Sequence, residues 1–415
     1  MLIKNIMKNF FEVTDLPEVL SLSGRFEALG VEKTPTHEAT GRILGEDIKS
    51  DVNLPDFARS TMDGYATHAA DTFGASQGNP AILTVKGAVS MGRTPDFSIQ
   101  PGEAAKISTG GMLPESADSV VMIEYSEIID ETTIEVFKAV APGDHSIAKG
   151  EDFKKGESVL FRGQRLRPQD VGVLAAFGKQ MAPVYKKPEV AIISTGDEIV
   201  SPEETPGPGQ IRDINTYTLA GMIIKAGGIP KIMGIVPDSF SDIREKCLRA
   251  FDEADMALIS GGSSVGARDY TVDAISSMPE SEILVHGISI SPGKPTILAA
   301  VGKKPFWGLP GHVASAMVVF DRVVRPFLEH IGGLAPEFKK QRRILARLSR
   351  NISSAQGRVD YVRVRLENRD GVLVAEPLLG KSGLINTMVK ANALLEIGIN
   401  TEGLDKGAMV ETMAL

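Results

Sequence analysis

The sequence contains one cysteine, Cys247, among 415 residues. A single thiol cannot form a disulfide within the chain, and it cannot build a cysteine-based metal site. The scarcity of cysteine therefore favours a reducing compartment, and we expect the protein to be cytoplasmic.

Positive charge is outnumbered, since 45 lysines and arginines face 53 aspartates and glutamates and leave a net charge of −8. Nonspecific nucleic-acid binding needs a clustered basic surface, so we expect no nucleic-acid partner. No apolar run approaches the roughly 18 residues of a membrane-spanning helix, so we expect no membrane partner. The composition, 42% hydrophobic and 24% charged, indicates a globular chain of about three domains.

Two short apolar runs stand near the centre of the chain, Val190–Ser194 and Met256–Ser260. Short, nearly uncharged runs of this kind are typical of strands buried on both faces of a sheet. Each run is followed by a loop of small residues that carries carboxylates, Thr195–Glu198 and Gly261–Asp269. Ligands of open α/β sheets bind beyond the carboxyl ends of the strands. The two loops therefore predict a binding site at one edge of a sheet.

The pattern of apolar and polar residues changes along the chain. Residues 185–333 alternate strand and helix patterns, which predicts a mostly parallel sheet covered on both faces. Within this stretch we expect Asn215 to cap a helix over Thr216–Ala226, and a long helix to end before Pro326. Residues 51–146 and 334–415 alternate at period two between glycine and proline breaks, which predicts two β-rich domains.

Four carboxylates fall at or just beyond predicted strand ends: Asp197, Glu198, Asp238 and Asp269. Clustered carboxylates repel one another, and a bound cation relieves the repulsion. Mg²⁺ is the natural candidate because it takes carboxylate oxygens together with a substrate phosphate. The alternative is that each residue is a solvated loop side chain or a helix cap.

Two loops are candidates for binding an anion. Ser260–Gly266 combines glycine with hydroxyl side chains, so its backbone can approach a phosphate closely, although it matches neither a Walker motif nor Gly-x-Gly-x-x-Gly. Ser291–Pro295 is a rigid turn that presents Lys294 as a phosphate counterion. A tight turn and an ordinary surface turn remain the respective alternatives. For His312, capping or packing is as reasonable a role as catalysis.

Seven motifs then occur in the order of a known family. They are Met62–Ala66, Ser108–Gly111, Gly150–Asp152, Ser194–Glu198, Ser260–Gly262 with Val265, Gly266 and Asp269, Pro292–Pro295, and Gly308–Gly311. With these motifs the chain resembles the molybdopterin molybdotransferases, the enzymes of the last step of molybdenum-cofactor synthesis, whose relatives include the C-terminal domain of gephyrin. The resemblance covers nearly the whole chain.

The resemblance implies a multidomain α/β plus β fold in an elongated homodimer. It has an extended domain over 1–50 and 147–184, and an inserted β-rich domain over 51–146. A three-layer α/β/α molybdopterin-binding domain follows over 185–333, and a C-terminal β-barrel over 334–415. In the family the active site lies between the α/β domain of one subunit and the inserted domain of the other.

The implied reaction is Mg²⁺-dependent insertion of molybdate into adenylylated molybdopterin, with release of AMP. The substrate would come from the molybdopterin adenylyltransferase. The implied catalytic residues are Asp63, Thr109, Asp152, Glu198 and Asp269. The implied substrate-binding residues are Asp197, Asp238, Gly261, Gly262, Ser263, Pro292, Lys294 and Pro310. The implied metal ligands are Asp63, Glu198, Asp238 and Asp269.

The chain departs from the family pattern at two places. Many relatives carry further lysines before the Pro-Gly-Lys-Pro turn, where this chain has Gly287, Ser289 and Ser291. Many also read Gly-Leu-Pro-Gly-Asn-Pro, where this chain has His312 and Val313. The departures leave open how the oxyanion is held and whether it is molybdate or tungstate. The alternatives are a tungstate-inserting paralogue, a non-catalytic pterin-binding scaffold of the gephyrin kind, and a nucleotide hydrolase.

Overall fold

The computed structural model describes residues 13–261, 270–339 and 343–415. Gly262, Ser263 and Asp269, three of the predicted site residues, lie outside these ranges. The chain divides into two compact units. The main unit comprises residues up to 46 together with 162–167 and 181–415, and the inserted unit comprises 47–161 and 168–180. The four-domain division implied by the resemblance stays a prediction.

A six-stranded sheet forms the centre of the main unit. Its strands, in order across the sheet, are Ile229–Val236, Glu189–Thr195, Met256–Ser260, Lys304–Leu309, Ile297–Val301 and Ser281–His286. The first four strands are parallel, as predicted, and the remaining two pairings are antiparallel. The pairing of Ile297–Val301 with Lys304–Leu309 is antiparallel because only Gly302 and Lys303 join the two strands. A connection this short can only form a hairpin.

Helices cover both faces of this sheet. Along the strand Glu189–Thr195, Val190 and Ile192 pack with one helix while Ala191 and Ile193 pack with another. Successive side chains of a strand point to opposite faces, so both sets must be apolar. The predicted three-layer α/β/α arrangement is confirmed. The helices of the main unit are Leu16–Ser21, Asn215–Ala226, Phe240–Glu253, Tyr270–Ser276, Val313–Val319, Arg325–Ile331 and Asn386–Lys390.

The sheet has a point at which its strand order reverses. From Glu189–Thr195 the chain crosses through Asn215–Ala226 to the neighbouring strand on one side. It then returns through Phe240–Glu253 to Met256–Ser260 on the other side. The two connecting helices therefore lie on opposite faces, and a crevice opens between Thr195 and Ser260.

Two helix predictions were wrong in detail. Asn215 does not cap its helix, because Asp213 Oδ1 accepts the hydrogen bond from the Thr216 amide (3.1 Å) and frees the Asn215 side chain for other contacts. The last long helix does not end before Pro326. A π-helical turn over Phe320–Val324 leads into Arg325–Ile331, where the proline occupies the first turn, a position that needs no amide hydrogen.

The C-terminal region of the main unit is a closed five-stranded barrel, as predicted. The strand Val359–Arg369 pairs with both Val372–Pro377 and Ala393–Ile397, which closes the ring. The other barrel strands are Arg343–Leu348 and Met409–Ala414. A two-residue strand, Ile290–Ser291, pairs in parallel with Val359 and Asp360 and joins the barrel to the α/β domain.

Short strand pairs complete the main unit. They are Val31–Pro35 with Met181–Tyr185, Ile199–Val200 with Ile211–Arg212, and Ile352–Ser353 with Gly403–Leu404. No helix within the described ranges is long and apolar enough to cross a membrane.

The inserted unit is built around a second six-stranded sheet, which confirms its predicted β-rich character. Its strands, in order, are Ser119–Met122, Gly64–Thr67, Glu103–Ile107, Ala81–Ala88, Thr133–Val136 and Ser126–Ile128. Short pairs Ile48–Lys49 with Ser158–Leu160 and Arg59–Ser60 with Ser146–Ile147 join it, as does the helix Pro168–Ala176. Its cores consist of small and branched apolar side chains such as Leu83, Val121 and Ile134.

Gly64 is the glycine of the Met62–Ala66 motif, and the sheet of the inserted unit requires it. A Cβ atom at this position would lie 1.9 Å from the Val121 carbonyl oxygen. We expect Gly64→Ala to lower the free energy of unfolding by ~3 kcal/mol, because the strands must separate to admit the methyl group. Urea unfolding followed by circular dichroism measures the change.

Gly172→Ala is the matched control within the same unit. Gly172 lies on the helix Pro168–Ala176, and no atom lies within 4 Å of its added Cβ. We expect this substitution to stabilise by about 0.5–1 kcal/mol, because alanine is the better helix former. Equal unfolding curves for Gly64→Ala and the wild type would contradict the steric argument.

Candidate functional site

A cleft of about 1080 Å³ opens in the main unit at the reversal of strand order. Thr195 and Ser260, the last residues of the two central strands, lie on its floor. Six predicted site residues line this one cleft: Glu198, Asp238, Gly261, Pro292, Lys294 and Pro310. Loops separated by more than 100 positions in sequence are thus brought to one edge of the sheet.

The acidic wall of the cleft is held by hydrogen bonds among its own residues. The Thr195 hydroxyl donates to Asp238 Oδ1. The Asp238 amide donates to Asp197 Oδ1 (3.2 Å), so Asp197 supports Asp238 from behind the strand ends. Glu198 is exposed on the same wall, and Asp238 is half-buried. Three carboxylates line the cleft, those of Glu198, Asp213 and Asp238. Asp213 is buried and accepts a hydrogen bond from the Thr216 amide (3.1 Å), so Glu198 and Asp238 are the two carboxylates available to a ligand, the second of them fixed by a hydroxyl group.

These two carboxylates match the oxygen ligands that Mg²⁺ takes from proteins. Mg²⁺ usually binds one or two carboxylates and completes its shell with water and substrate phosphate. In the described part of the chain, no group of three or more histidine, cysteine, aspartate or glutamate side chains is placed to hold a metal ion. A pair of ligands plus substrate oxygens is therefore the site that these residues fit.

Gly261 is required where the two central strands end. Its φ of +117° lies in the region that favours glycine, and an added Cβ would lie 2.1 Å from the Thr195 carbonyl oxygen. The backbones of the two loops approach each other this closely directly beneath the cleft. The glycine that follows the strand is thus explained by the packing of two loops against each other.

Positively charged side chains also line the cleft. Lys294 is exposed on its turn, and no described residue forms an ion pair with it. Arg212 and Arg358 also line the cleft, but Arg358 Nε lies 2.9 Å from Asp360 Oδ1 and is partly neutralised. Arg212 Nε donates to the Pro202 and Glu204 carbonyls (3.1 Å each), so each arginine already has a partner, and Lys294 can offset the charge of an anion in the cleft.

Gly287 and Ser289, which precede the Pro-Gly-Lys-Pro turn, form hydrogen bonds with the start of the described chain. The Gly287 carbonyl accepts a hydrogen bond from the Thr14 amide (2.9 Å). The Ser289 hydroxyl is buried and donates to Asp15 Oδ1 (2.8 Å). These positions tie the strand Ile290–Ser291 to the start of the described chain.

Sequence reasoning missed several residues of the cleft. Asn215 Nδ2 donates to Ser260 Oγ (2.7 Å) and to the Gly311 carbonyl (2.8 Å), and so ties two cleft loops together. Arg358 and Ser382 reach the cleft from the barrel. The barrel contacts follow from the two-residue pairing of Ile290–Ser291, which is too short to leave a periodic signal.

The inserted unit holds three of the predicted catalytic residues: Asp63, Thr109 and Asp152. Asp63 and Thr109 are in direct contact, since the Thr109 amide and hydroxyl both donate to Asp63 Oδ1 (2.7 and 3.0 Å). These two bonds lower the pKa of the exposed Asp63 carboxyl, the amide bond most. Asp152 lies on an exposed turn, where its amide donates to the Leu54 carbonyl (3.0 Å).

Comparison with known proteins gives matches along almost the entire chain. Residues 13–178 match the model of the MoeA N-terminal region (domain I and II), and residues 191–330 match a molybdopterin binding domain. Residues 345–415 match the MoeA C-terminal region (domain IV).

Individual relatives agree with these matches. A molybdopterin biosynthesis protein of Methanocaldococcus jannaschii is 35% identical, covering 93% of this chain and 92% of its own. A molybdopterin molybdenumtransferase of Nostoc is 32% identical, covering 91% of this chain and 87% of its own. The crystal structure of a molybdopterin biosynthesis MoeA protein from Pyrococcus horikoshii superposes with a TM-score of 0.84 at 33% identity, covering 97% of this chain and 100% of its own.

The reversal of strand order, the closed C-terminal barrel and these matches along almost the entire chain agree, and the chain belongs to the MoeA family of molybdopterin molybdenumtransferases, enzymes of molybdenum-cofactor biosynthesis.

Proposed function

We propose that this protein inserts molybdate into adenylylated molybdopterin and releases AMP in a Mg²⁺-dependent reaction. The observation that carries the proposal is the division of charge in the cleft. Glu198 and Asp238 line one wall, and Lys294 lines another part of the same cleft. A substrate with a phosphoanhydride and an oxyanion needs both a cation site and a fixed positive charge.

In the proposed complex, Glu198 and Asp238 hold Mg²⁺, and the resemblance adds Asp63 and Asp269 to the acidic set. When bound, Mg²⁺ withdraws charge from the phosphate oxygens and makes the phosphoanhydride easier to break. Thr195 keeps the Asp238 carboxylate oriented through its hydroxyl. Because this bond forms without substrate, the ligand geometry is set in advance.

The remaining cleft residues act on the anionic parts of the substrate. Water adds to the pterin-side phosphorus of the phosphoanhydride and gives up its protons to solvent. The bond from that phosphorus to the bridging oxygen breaks, and AMP leaves with the bridging oxygen and its negative charge. Lys294 offsets that charge from its rigid turn. Gly261 allows the two strand-end loops to pack beneath the cleft, because an added Cβ would lie 2.1 Å from the Thr195 carbonyl oxygen. The two thiols of the pterin dithiolene then bond to molybdenum and give their two protons to one oxygen of molybdate, which leaves as water.

Further parts of the proposal concern assembly and supply. We propose a homodimer in the cytoplasm that receives its substrate from the molybdopterin adenylyltransferase. Asp63, Thr109 and Asp152 are proposed as catalytic residues, and Gly262 and Ser263 as pterin-binding residues. A tungstate-inserting enzyme and a non-catalytic pterin-binding scaffold are the alternatives, and the cleft does not separate the two oxyanions, because they share charge and shape.

AMP release from adenylylated molybdopterin tests the reaction directly. We expect the purified protein with Mg²⁺ to release AMP when molybdate or tungstate is added, and to release little without an oxyanion or after chelation of Mg²⁺. Chromatographic quantification of AMP gives the rates, and the faster oxyanion identifies the preferred metal. A folded protein that binds the pterin but releases no AMP under any condition would establish the scaffold alternative instead.

Asp63→Asn tests the acidic residue of the inserted unit. The substitution keeps the shape and the bonds from Thr109 but removes the negative charge, and we expect turnover to fall by about 100-fold or more. Steady-state AMP release measures the change, with size-exclusion chromatography as the check on assembly.

Asp130→Asn is the matched control. Asp130 is another exposed aspartate of the inserted unit, and its Oδ1 likewise accepts bonds from the amide and hydroxyl of one threonine, Thr132 (2.8 and 3.1 Å). Those bonds lower its pKa as they do for Asp63. We expect Asp130→Asn to keep wild-type turnover. Full turnover by Asp63→Asn would remove Asp63 from the mechanism.

A further inference from the structure

A histidine and a serine meet where the α/β domain and the barrel join. His312 Nδ1 lies 2.8 Å from Ser382 Oγ, within hydrogen-bonding distance. His312 precedes the helix Val313–Val319, and its side chain makes no capping bond to that helix. Both residues line the cleft that contains Lys294. The imidazole is thus directed toward the barrel loop and away from the helix end that it precedes.

The barrel loop Gly380–Gly383 is attached to its surroundings at three points. Arg363 Nη2 donates to the Gly380 carbonyl (2.9 Å), and the Ala314 amide donates to the Ser382 carbonyl (3.0 Å). Both of these bonds fix the backbone of the loop. Among the described residues, the third bond, between His312 and Ser382 Oγ, is the one that involves the serine hydroxyl itself. A serine hydroxyl without such a partner rotates freely among its staggered positions.

The pair presents one hydrogen-bond donor in either neutral tautomer of the histidine. If Nδ1 carries the proton, it donates to Ser382 Oγ and leaves the hydroxyl hydrogen for another acceptor. If Nε2 carries the proton, the hydroxyl donates to Nδ1 and the Nε2 hydrogen remains. An anionic oxygen accepts strongly from either group, and Lys294 on the same cleft favours such a ligand.

We infer that His312 carries its proton on Nδ1 and is a positioning residue, which donates to Ser382 Oγ and so orients the Ser382 hydroxyl toward an anionic oxygen in the cleft. The inference rests on the proposed function for the identity of that oxygen, which would belong to molybdate or tungstate. Asparagine could supply the same bond, because its amide nitrogen occupies nearly the place of Nδ1, whereas the amide of glutamine reaches the place of Nε2.

The test uses the full chain and five variants: His312→Asn, His312→Gln, His312→Ala, Ser382→Ala and the double variant His312→Ala/Ser382→Ala. Calorimetry measures the binding of molybdate and of tungstate. We expect His312→Ala, His312→Gln and Ser382→Ala each to weaken binding by about tenfold, as the loss of one hydrogen bond to a charged group does. His312→Asn should keep the wild-type affinity, and the double variant should be no worse than Ser382→Ala.

Two further measurements separate positioning from general loss of structure. During turnover, His312→Ala should raise the KM for molybdate and leave the KM for adenylylated molybdopterin unchanged. His37→Ala serves as the control, because His37 is exposed and does not line the cleft. Additive effects in the double variant, or wild-type oxyanion affinity in His312→Ala, would overturn the inference.

Hydrogen exchange at the Ala314 amide tests the contact between His312 and Ser382 independently of the reaction, because that amide donates to the Ser382 carbonyl. We expect faster exchange in the free protein for His312→Ala and wild-type exchange for His312→Asn. Unchanged exchange in His312→Ala would refute the pairing. A wild-type protein that binds neither oxyanion and releases no AMP would refute the proposed function, and the exchange measurement would still judge the contact.

Discussion

The parallel pairing of Glu189–Thr195 with Met256–Ser260 is the constraint on which the rest of the site depends. The chain leaves the first strand through a helix on one face and returns to the second through a helix on the other, so the two loops must diverge at the strand ends. The divergence creates the cleft, and the contact between Gly261 and the Thr195 carbonyl limits how far the loops separate. The positions of Glu198 and Asp238 follow from this geometry, because both residues lie in loops that begin at this edge of the sheet.

The acidic residues and the lysine of the cleft come from different parts of the fold. The acidic residues come from loops after parallel strands, whose carboxyl ends share one edge. Lys294 comes from a turn between the hairpin strands and the barrel strand Ile290–Ser291. Neither set is neutralised by the other within the described residues, so both remain available to a ligand that carries phosphate and needs a cation. Charges that are fixed before the substrate arrives need no rearrangement during the reaction.

The sequence predicted the parts of the protein that are governed by local pattern. The runs Val190–Ser194 and Met256–Ser260 are buried on both faces, and nearly continuous apolar residues signal this directly. It could not predict the side-chain role of Asn215, because Asp213, two positions earlier, captures the capping bond. Nor could it predict that Arg358 and Ser382 reach the cleft. Their placement depends on the closure of the barrel and on a strand of two residues, and both are tertiary properties.

The short strand Ile290–Ser291 also connects the turn of Lys294 to the barrel. It is hydrogen-bonded to Val359 and Asp360 of the barrel, and the chain passes from it directly into the turn that carries Lys294. The turn that carries Lys294 is therefore connected both to the barrel and to the α/β domain. Any rotation of the barrel would carry the lysine with it and change its distance from the acidic wall. The C-terminal barrel thus helps to fix the position of Lys294 on the cleft.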